Sequence, residues 1–222
     1  MYIDFFLPFQ TFFINLCLST GSFPSACKHA MVTPLLKKKN LDRNDMTNYR
    51  PVSNLTFLSK LIERIASKQV IYHFNKHSLL PVYQSGYRRF HSTETALIDV
   101  SSKLFASMDA QNVSLLCLLD MSSAFDCVDH ALLLKKLKLS FRISGTALKW
   151  FESYLIGRTH QVVFNGILSS VEVMSYGVPQ GSVLGPLLFL LYTSDVFKII
   201  EEYDFKYHAF ADDLQIVANC LF

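Results

Sequence analysis

"YHAFADDLQIV", residues 207–217, is the stretch on which the reading of the whole chain turns. An apolar run stops at Asp212 and Asp213, and a second apolar run starts at once. Two such runs around a tight polar joint predict the two strands of a hairpin. The joint is unfavourable by itself. Ionised carboxylates held together in a poorly solvated place repel, and one tends to take up a proton. A divalent cation removes that cost. Mg²⁺ fits the pattern, because it is held by one or two carboxylates together with substrate phosphates. An isolated Asp-Asp pair is more often a solvated turn, so the metal reading needs a further carboxylate.

That carboxylate stands in "LLCLLDMSSAFD", residues 115–126. Residues 114–119 form a continuous apolar run, which predicts a strand buried on both faces. The run ends in Asp120. Strands ending side by side would bring Asp120 to Asp212 and Asp213. Two metals ~3.5–4 Å apart would then clamp an in-line phosphoryl displacement, one at the attacking 3′-hydroxyl and one at the leaving pyrophosphate. Between the two sites lies "GVPQGSVLGP", residues 177–186. Its glycines let a backbone approach a flat ligand, and Gln180 offers both a donor and an acceptor.

Working outward, Leu58, Leu61, Ile62 and Ile65 recur at helical spacing, with Pro81 closing that segment. Leu97, Val100, Leu104 and Met108 repeat the pattern. Ser92 is placed to cap that helix, and Glu94 suits its positive end. Further helices are expected from about Asp129, and from about Ser144 to Gly157. Asn165-Gly166 predicts a hairpin. Pro186 opens a helix that is apolar nearly all round, hence buried. From Ser114 onward the order suits an α+β lobe, an antiparallel sheet with helices packed on one face. The earlier part reads as mostly helical with a few short strands.

The chain has 222 residues, half of them apolar, and a net charge of +3. That is enough apolar material for a sizeable core, and it excludes a disordered chain. The charge is too small to identify a nucleic-acid partner. It is clustered, however, at Lys37 to Lys39, at Arg88 and Arg89, and at Lys135, Lys136 and Lys138. Five cysteines without a C-x-x-C pair argue against a disulfide framework or a zinc site. A reducing compartment follows, cytoplasmic and nuclear. The N-terminal "MYIDFFLPFQTFFINLCLSTG" is broken by Asp4, Pro8, Gln10 and Asn15. It falls short of the ~20 apolar residues that a bilayer needs, so no membrane partner is expected. Asp4 stands where a signal peptide carries Lys or Arg. A buried helix is expected there.

"LDMSSAFD", "GVPQGSVLGP" and "FADD", in this order, resemble the palm of reverse transcriptases, most closely those of LINE-type (non-LTR) retrotransposons. "VTPLLKKK", "NYRPVSNLTFLSKLIERI", "YQSGYRRFHSTETAL", "VDHALLLKKL" and "WFESYLIGR" resemble the same family in the same order. The resemblance runs from about Phe23 to the end of the chain. It implies an RNA-directed DNA polymerase domain that adds dNTPs to a DNA primer on an RNA template with two Mg²⁺ ions. The fold implied is a right-hand polymerase palm with a mostly helical fingers part. The implied division is a helical segment over 1–23, a fingers-like region over 24–113 and a palm-like region over 114–222.

The resemblance also assigns residues. Asp120, Asp212 and Asp213 match the metal ligands. Phe125 matches the aromatic gate beneath the sugar, whose bulk crowds a ribose 2′-hydroxyl and disfavours RNA synthesis. Gln180 and Gly181 match the loop that positions the nucleotide and template. Lys37 and Arg50 match cations that grip the triphosphate, and Arg50 suits it better through bidentate contact. Arg88 matches a residue on the template side. Asp126 is structural on this reading. Met121 and Tyr87 depart from the usual leucine and phenylalanine. The chain ends nine residues after Asp213, where family members continue into a further palm segment, a primer grip and a thumb. The thumb is therefore expected to be absent. The alternative is an inactive truncated remnant that acts at most as a binding module.

Overall fold

A computed structural model describes residues 2–88, 90–121 and 124–220. Arg89 of the basic cluster and Ser122 and Ser123 of the Asp120 motif lie outside the described residues. In chain order the main elements are α1 (Tyr2–Thr20), β1 (His29–Leu36), β2 (Tyr49–Asn54), α2 (Phe57–Lys76), α3 (Thr93–Asp109) and β3 (Val113–Asp120). Then come α4 (His130–Leu139), α5 (Gly145–Leu155), β4 (Thr159–Phe164), β5 (Ile167–Leu168) and β6 (Glu172–Val173). The last three are α6 (Gly185–Glu202), β7 (Lys206–Phe210) and β8 (Asp213–Cys220).

Local chemistry sets most of these boundaries. Thr56 accepts the Ser59 N–H and opens α2. Ser92 and Thr95 form a reciprocal capping box at the start of α3. Asp129 accepts the Leu132 N–H and opens α4. Asn165 and Gly166 both have positive φ, 50° and 79°, which the two-residue turn between β4 and β5 requires. Pro186 sits in the first turn of α6.

The strands form two sheets. One has the order β3-β8-β7, antiparallel throughout. The other runs β2-β1-β4-β5, with β6 also paired to β4. The main core gathers α2, α4, α5 and α6 around Ile62, Phe74, Leu133, Trp150 and Leu188. Each fully buried side chain of this size contributes about 1.5–3 kcal/mol. Helix α6 is buried nearly all round and so serves two cores. Its C-terminal half places Phe197 and Ile200 against Tyr207, Ala209 and Leu214 of the smaller sheet.

The α+β class is as expected, and several details differ. The Asn165-Gly166 hairpin joins the other sheet, where β4 runs parallel to β1. Chain from both sides of residue 114 therefore builds that sheet. Helices lie on both faces of the β3-β8-β7 sheet rather than on one. Helix α6 meets the face of Tyr207 and Leu214, and α3 meets the face of Ser114 and His208 through Ser107 and Asp99. Strand β3 is not buried on both faces. Leu115 and Leu118, which point to opposite faces, are 67% and 70% exposed. The reason is position: β3 is an edge strand, and the apolar packing from α6 centres on β7 and β8.

Helix α1 is buried only toward its C-terminal end, where Ile14 and Cys17 pack, while Phe5, Phe9 and Phe12 are exposed. In α3 the buried line is Ala96, Val100 and Ser107, and Leu97 and Met108 face outward. In α2 it is Ser59, Ile62, Glu63, Ala66, Val70 and Phe74, with Leu58, Leu61 and Ile65 packed at its margin. Among the described residues no helix is long and apolar enough to cross a membrane.

Candidate active site

The β7–β8 hairpin turns over two residues, Ala211 and Asp212, between the paired Phe210 and Asp213. Asp213 is also the direct cross-strand partner of Asp120 on β3. Directly opposed residues hold their Cβ atoms about 4.5–5.5 Å apart on one face of the sheet. The register therefore sets Asp120 beside Asp213, with Asp212 next to it in the turn.

The residues after β3 fold back as a platform for the 177–186 loop. Gly177 N–H donates to Val128 O and Val178 N–H to Phe125 O, both at 2.8 Å. His130 Nε2 donates to Gly177 O at 2.7 Å. The Gln180 side-chain amide donates to the Asp126 carboxylate at 3.0 and 3.2 Å. The Phe125 ring packs on Phe189 of α6, with centroids 5.4 Å apart.

The loop's other side docks on β2. Ser53 N–H donates to Gln180 O at 2.7 Å. Gly181 has φ +113°, and a Cβ there would stand 2.8 Å from Ser53 O. That position accepts only glycine without strain. Glu63, fully buried on α2, accepts the N–H groups of Val183 and Leu184 at 2.7 and 3.1 Å. It thereby caps α6 from another helix, where the cap residue Leu184 has no side-chain acceptor of its own.

Between these parts opens a cleft of about 630 Å³. Lys37, Arg50, Asp120, Phe125, Gln180 and Asp212 line it, joined by Tyr49, Pro51, Met121, Ala124 and Asp126. Six of the sequence-derived residues thus share one cavity. Asp213 stands beside Asp120 in the sheet, and Gly181 serves the loop's docking. Arg88 does not line this cleft. Its guanidinium donates to the carbonyls of Pro81, Val82 and Gln84, and so braces its own loop.

Electrostatics mark the carboxylate end. Burial pushes the Asp213 carboxyl above its ordinary range, and the charges of Asp212 and Asp120 push it further. Burial and then Asp212 raise the Tyr87 phenol. Among the described residues none of the three carboxylates has an ion-pair partner, and no three acidic, imidazole or thiol groups form a ready-made metal cage.

Two residues in this region escape sequence reasoning. Gln84 is 2% exposed and bonds to the hairpin turn, and Glu63 is buried under the 177–186 loop. "QSG" at 84–86 was the available signal for the first; nothing local marks the second.

A family model for reverse transcriptase (RNA-dependent DNA polymerase) matches residues 36–220. The chain is 32% identical over 218 residues to the RNA-directed DNA polymerase from mobile element jockey of Drosophila melanogaster, covering 96% of this chain and 24% of that protein. It is 34% identical to the jockey polymerase of Drosophila funebris, covering 82% of this chain and 20% of that one. It is 31% identical to the probable RNA-directed DNA polymerase from transposon X-element of Drosophila melanogaster, covering 84% and 20%. The chain thus spans about a quarter or less of these relatives' length. Among solved structures, apo telomerase from Candida tropicalis matches with a TM-score of 0.62 at 12% identity, over 90% of this chain and 40% of that one. Telomerase from Candida albicans, solved with a fragment of telomeric RNA, matches with a TM-score of 0.57 at 14% identity, over 89% and 39%. At such identities these structures speak for the fold alone, a right-hand polymerase fold. With the family model spanning most of its length, the chain belongs to the reverse transcriptase family, as a domain homologous to the RNA-directed DNA polymerases of non-LTR retrotransposons.

Proposed function

We propose that this domain extends a DNA primer on an RNA template, transferring nucleotides from dNTPs with two Mg²⁺ ions. The family generally uses divalent metal ions. The observation that carries the reading is the shared cleft, in which Asp120 and Asp212 face Lys37, Arg50, Phe125 and Gln180.

Asp120, Asp212 and Asp213 are the residues that would hold the metal. Their mutual repulsion, unrelieved by any ion pair among the described residues, is the feature that a cation relieves. Bound cations would supply Lewis-acid activation of the primer hydroxyl and charge neutralisation on the triphosphate. Arg50 and Lys37 bind triphosphate oxygens from the opposite wall, Arg50 as a planar fork and Lys37 as a point charge. Phe125, braced by Phe189, fills the space beside the sugar and excludes a 2′-hydroxyl. The Gln180–Gly181 backbone, held between β2 and the Phe125 segment, fixes the floor against which the nucleotide lies. The template is RNA and the primer DNA on this reading.

Primer extension on an RNA template with Mg²⁺ and dNTPs tests it, beside an Asp212→Ala/Asp213→Ala control. Extension that the control abolishes is expected. No extension by folded wild-type chain would leave the inactive-remnant alternative standing.

A further inference from the structure

We infer that Gln84 is a positioning residue for the two-carboxylate turn, acting through the backbone of Ala211. The inference rests on the metal-site reading above, since the turn matters through Asp212 and Asp213.

The Gln84 side chain is buried and uses both ends of its amide on one residue. Its Oε1 accepts the Ala211 N–H at 3.2 Å, and its Nε2 donates to Ala211 O at 3.3 Å. The same Oε1 accepts the Gly86 N–H at 2.7 Å, which fixes the amide's orientation. Ala211 is a non-glycine residue at φ 59°, so an external hold on both of its backbone groups has something to restrain. Gly86 lies flat on the turn: a Cβ there would stand 2.2 Å from Ala211 N.

The segment around Gln84 is itself fastened to the sheet. Ser85 N–H donates to Ala209 O, and Ala209 N–H donates to Tyr83 O, both at 2.8 Å. These bonds make a short parallel bridge beside β7. The Ser85 hydroxyl bonds His208 Nε2 at 2.8 Å, and His208 Nδ1 donates to Asp99 at 2.7 Å. That chain has the residue order of a hydrolase triad. Ser85 and His208 are both buried and neither lines the carboxylate cleft, so it serves as a fastening to α3. An amide held this way fixes the direction in which Asp212 and Asp213 leave the turn. It plays the part that hydrogen-bond partners of metal ligands play elsewhere.

The test compares the wild-type chain, Gln84→Met and Asp213→Asn. Mn²⁺ binding is followed by the paramagnetic resonance of free Mn²⁺, and backbone amide exchange by NMR. In the wild-type chain the Ala211 amide is expected to be protected despite its place at a turn. Gln84→Met is expected to keep a cooperative melt, lose that protection and bind Mn²⁺ about tenfold more weakly or worse. Unprotected Ala211 in the wild-type chain overturns the inference, and needs no variant to fold. Wild-type protection and Mn²⁺ affinity in folded Gln84→Met overturn it equally. Wild-type Mn²⁺ binding that Asp213→Asn removes, without primer extension, would sink the polymerase reading and leave the positioning role intact.

Discussion

Asp120 and Asp213 face each other across the last rung of the β3–β8 ladder. Like charges directly opposed on one sheet face destabilise the pair. Burial, Asp212 and Asp120 all push the Asp213 carboxyl above its unfolded value. A raised carboxyl favours the protonated folded state, so its ionised form destabilises the fold as pH rises through the raised value. We expect Asp213→Asn, without divalent cations, to stabilise the chain near neutral pH by less than about 1 kcal/mol, since solvent screens the charges. The gain should vanish as pH falls below the carboxylate range. Millimolar Mg²⁺ should stabilise the wild-type chain and narrow the difference. Thermal melts across pH read this directly, and a variant less stable than wild type would contradict it.

Asp99 gives the opposite sign. Partial burial pushes its carboxyl up, but hydrogen bonds from Lys103 and His208, with their charges, outweigh that and hold it below its ordinary range. Its contribution to stability is therefore present above the unfolded carboxylate value and lost as pH falls through the lowered one. Urea unfolding should show Asp99→Asn less stable than wild type near neutral pH and indistinguishable from it in acid. With the carboxylate one-third exposed, the gap is expected to stay within about 1 kcal/mol. An equal gap at all pH values would assign the loss to packing instead of charge.

The parts of the site legible in the sequence are those that local chemistry writes. Asp120, Asp212 and Asp213 stand out because each ends or interrupts an apolar run. Asn165-Gly166 and Ser92 announce a turn and a cap for reasons contained in a few residues. What stays hidden depends on distant partners. Gln84 meets Ala211 across 127 positions, and Glu63 meets Val183 across 120. The apolar run of β3 shows that it can be buried, and carries no information about which neighbours cover it. Arg88 offers its cation in the sequence, yet in the fold its bonds go to its own loop.

Glu63 ties α2 to the nucleotide-binding loop of the proposed site. Its carboxylate accepts two N–H groups at the start of α6 and the Ser59 hydroxyl at 3.0 Å. Replacing it by alanine leaves those donors unsatisfied in a buried place. A buried donor left without its acceptor costs about 1–3 kcal/mol, so Glu63→Ala should lose stability on that scale by denaturant titration. Glu63→Gln keeps one acceptor and should lose less. In an extending chain both should weaken dNTP affinity before they affect primer binding. A stability loss without any change in dNTP affinity would confine Glu63 to folding.

Phe125 is the residue through which sugar choice is tested. Its ring is half-buried, lines the cleft with Asp120, and is backed by Phe189 at 5.4 Å. Its carbonyl holds Val178 of the neighbouring loop, so the backbone there stays fixed when the ring is removed. Phe125→Ala therefore opens room beside the sugar with little rearrangement of the wall. In an active chain it should raise incorporation of ribonucleotides relative to deoxynucleotides. Loss of one steric exclusion worth about 1.4 kcal/mol corresponds to about tenfold in that ratio. Truncating a part-buried ring also removes packing, so a modest fall in melting temperature is expected alongside. Phe125→Leu restores apolar volume without the full ring and should recover stability more than discrimination. Unchanged preference for deoxynucleotides in a folded, active Phe125→Ala chain would show that the ring supports the core and takes no part in reading the sugar.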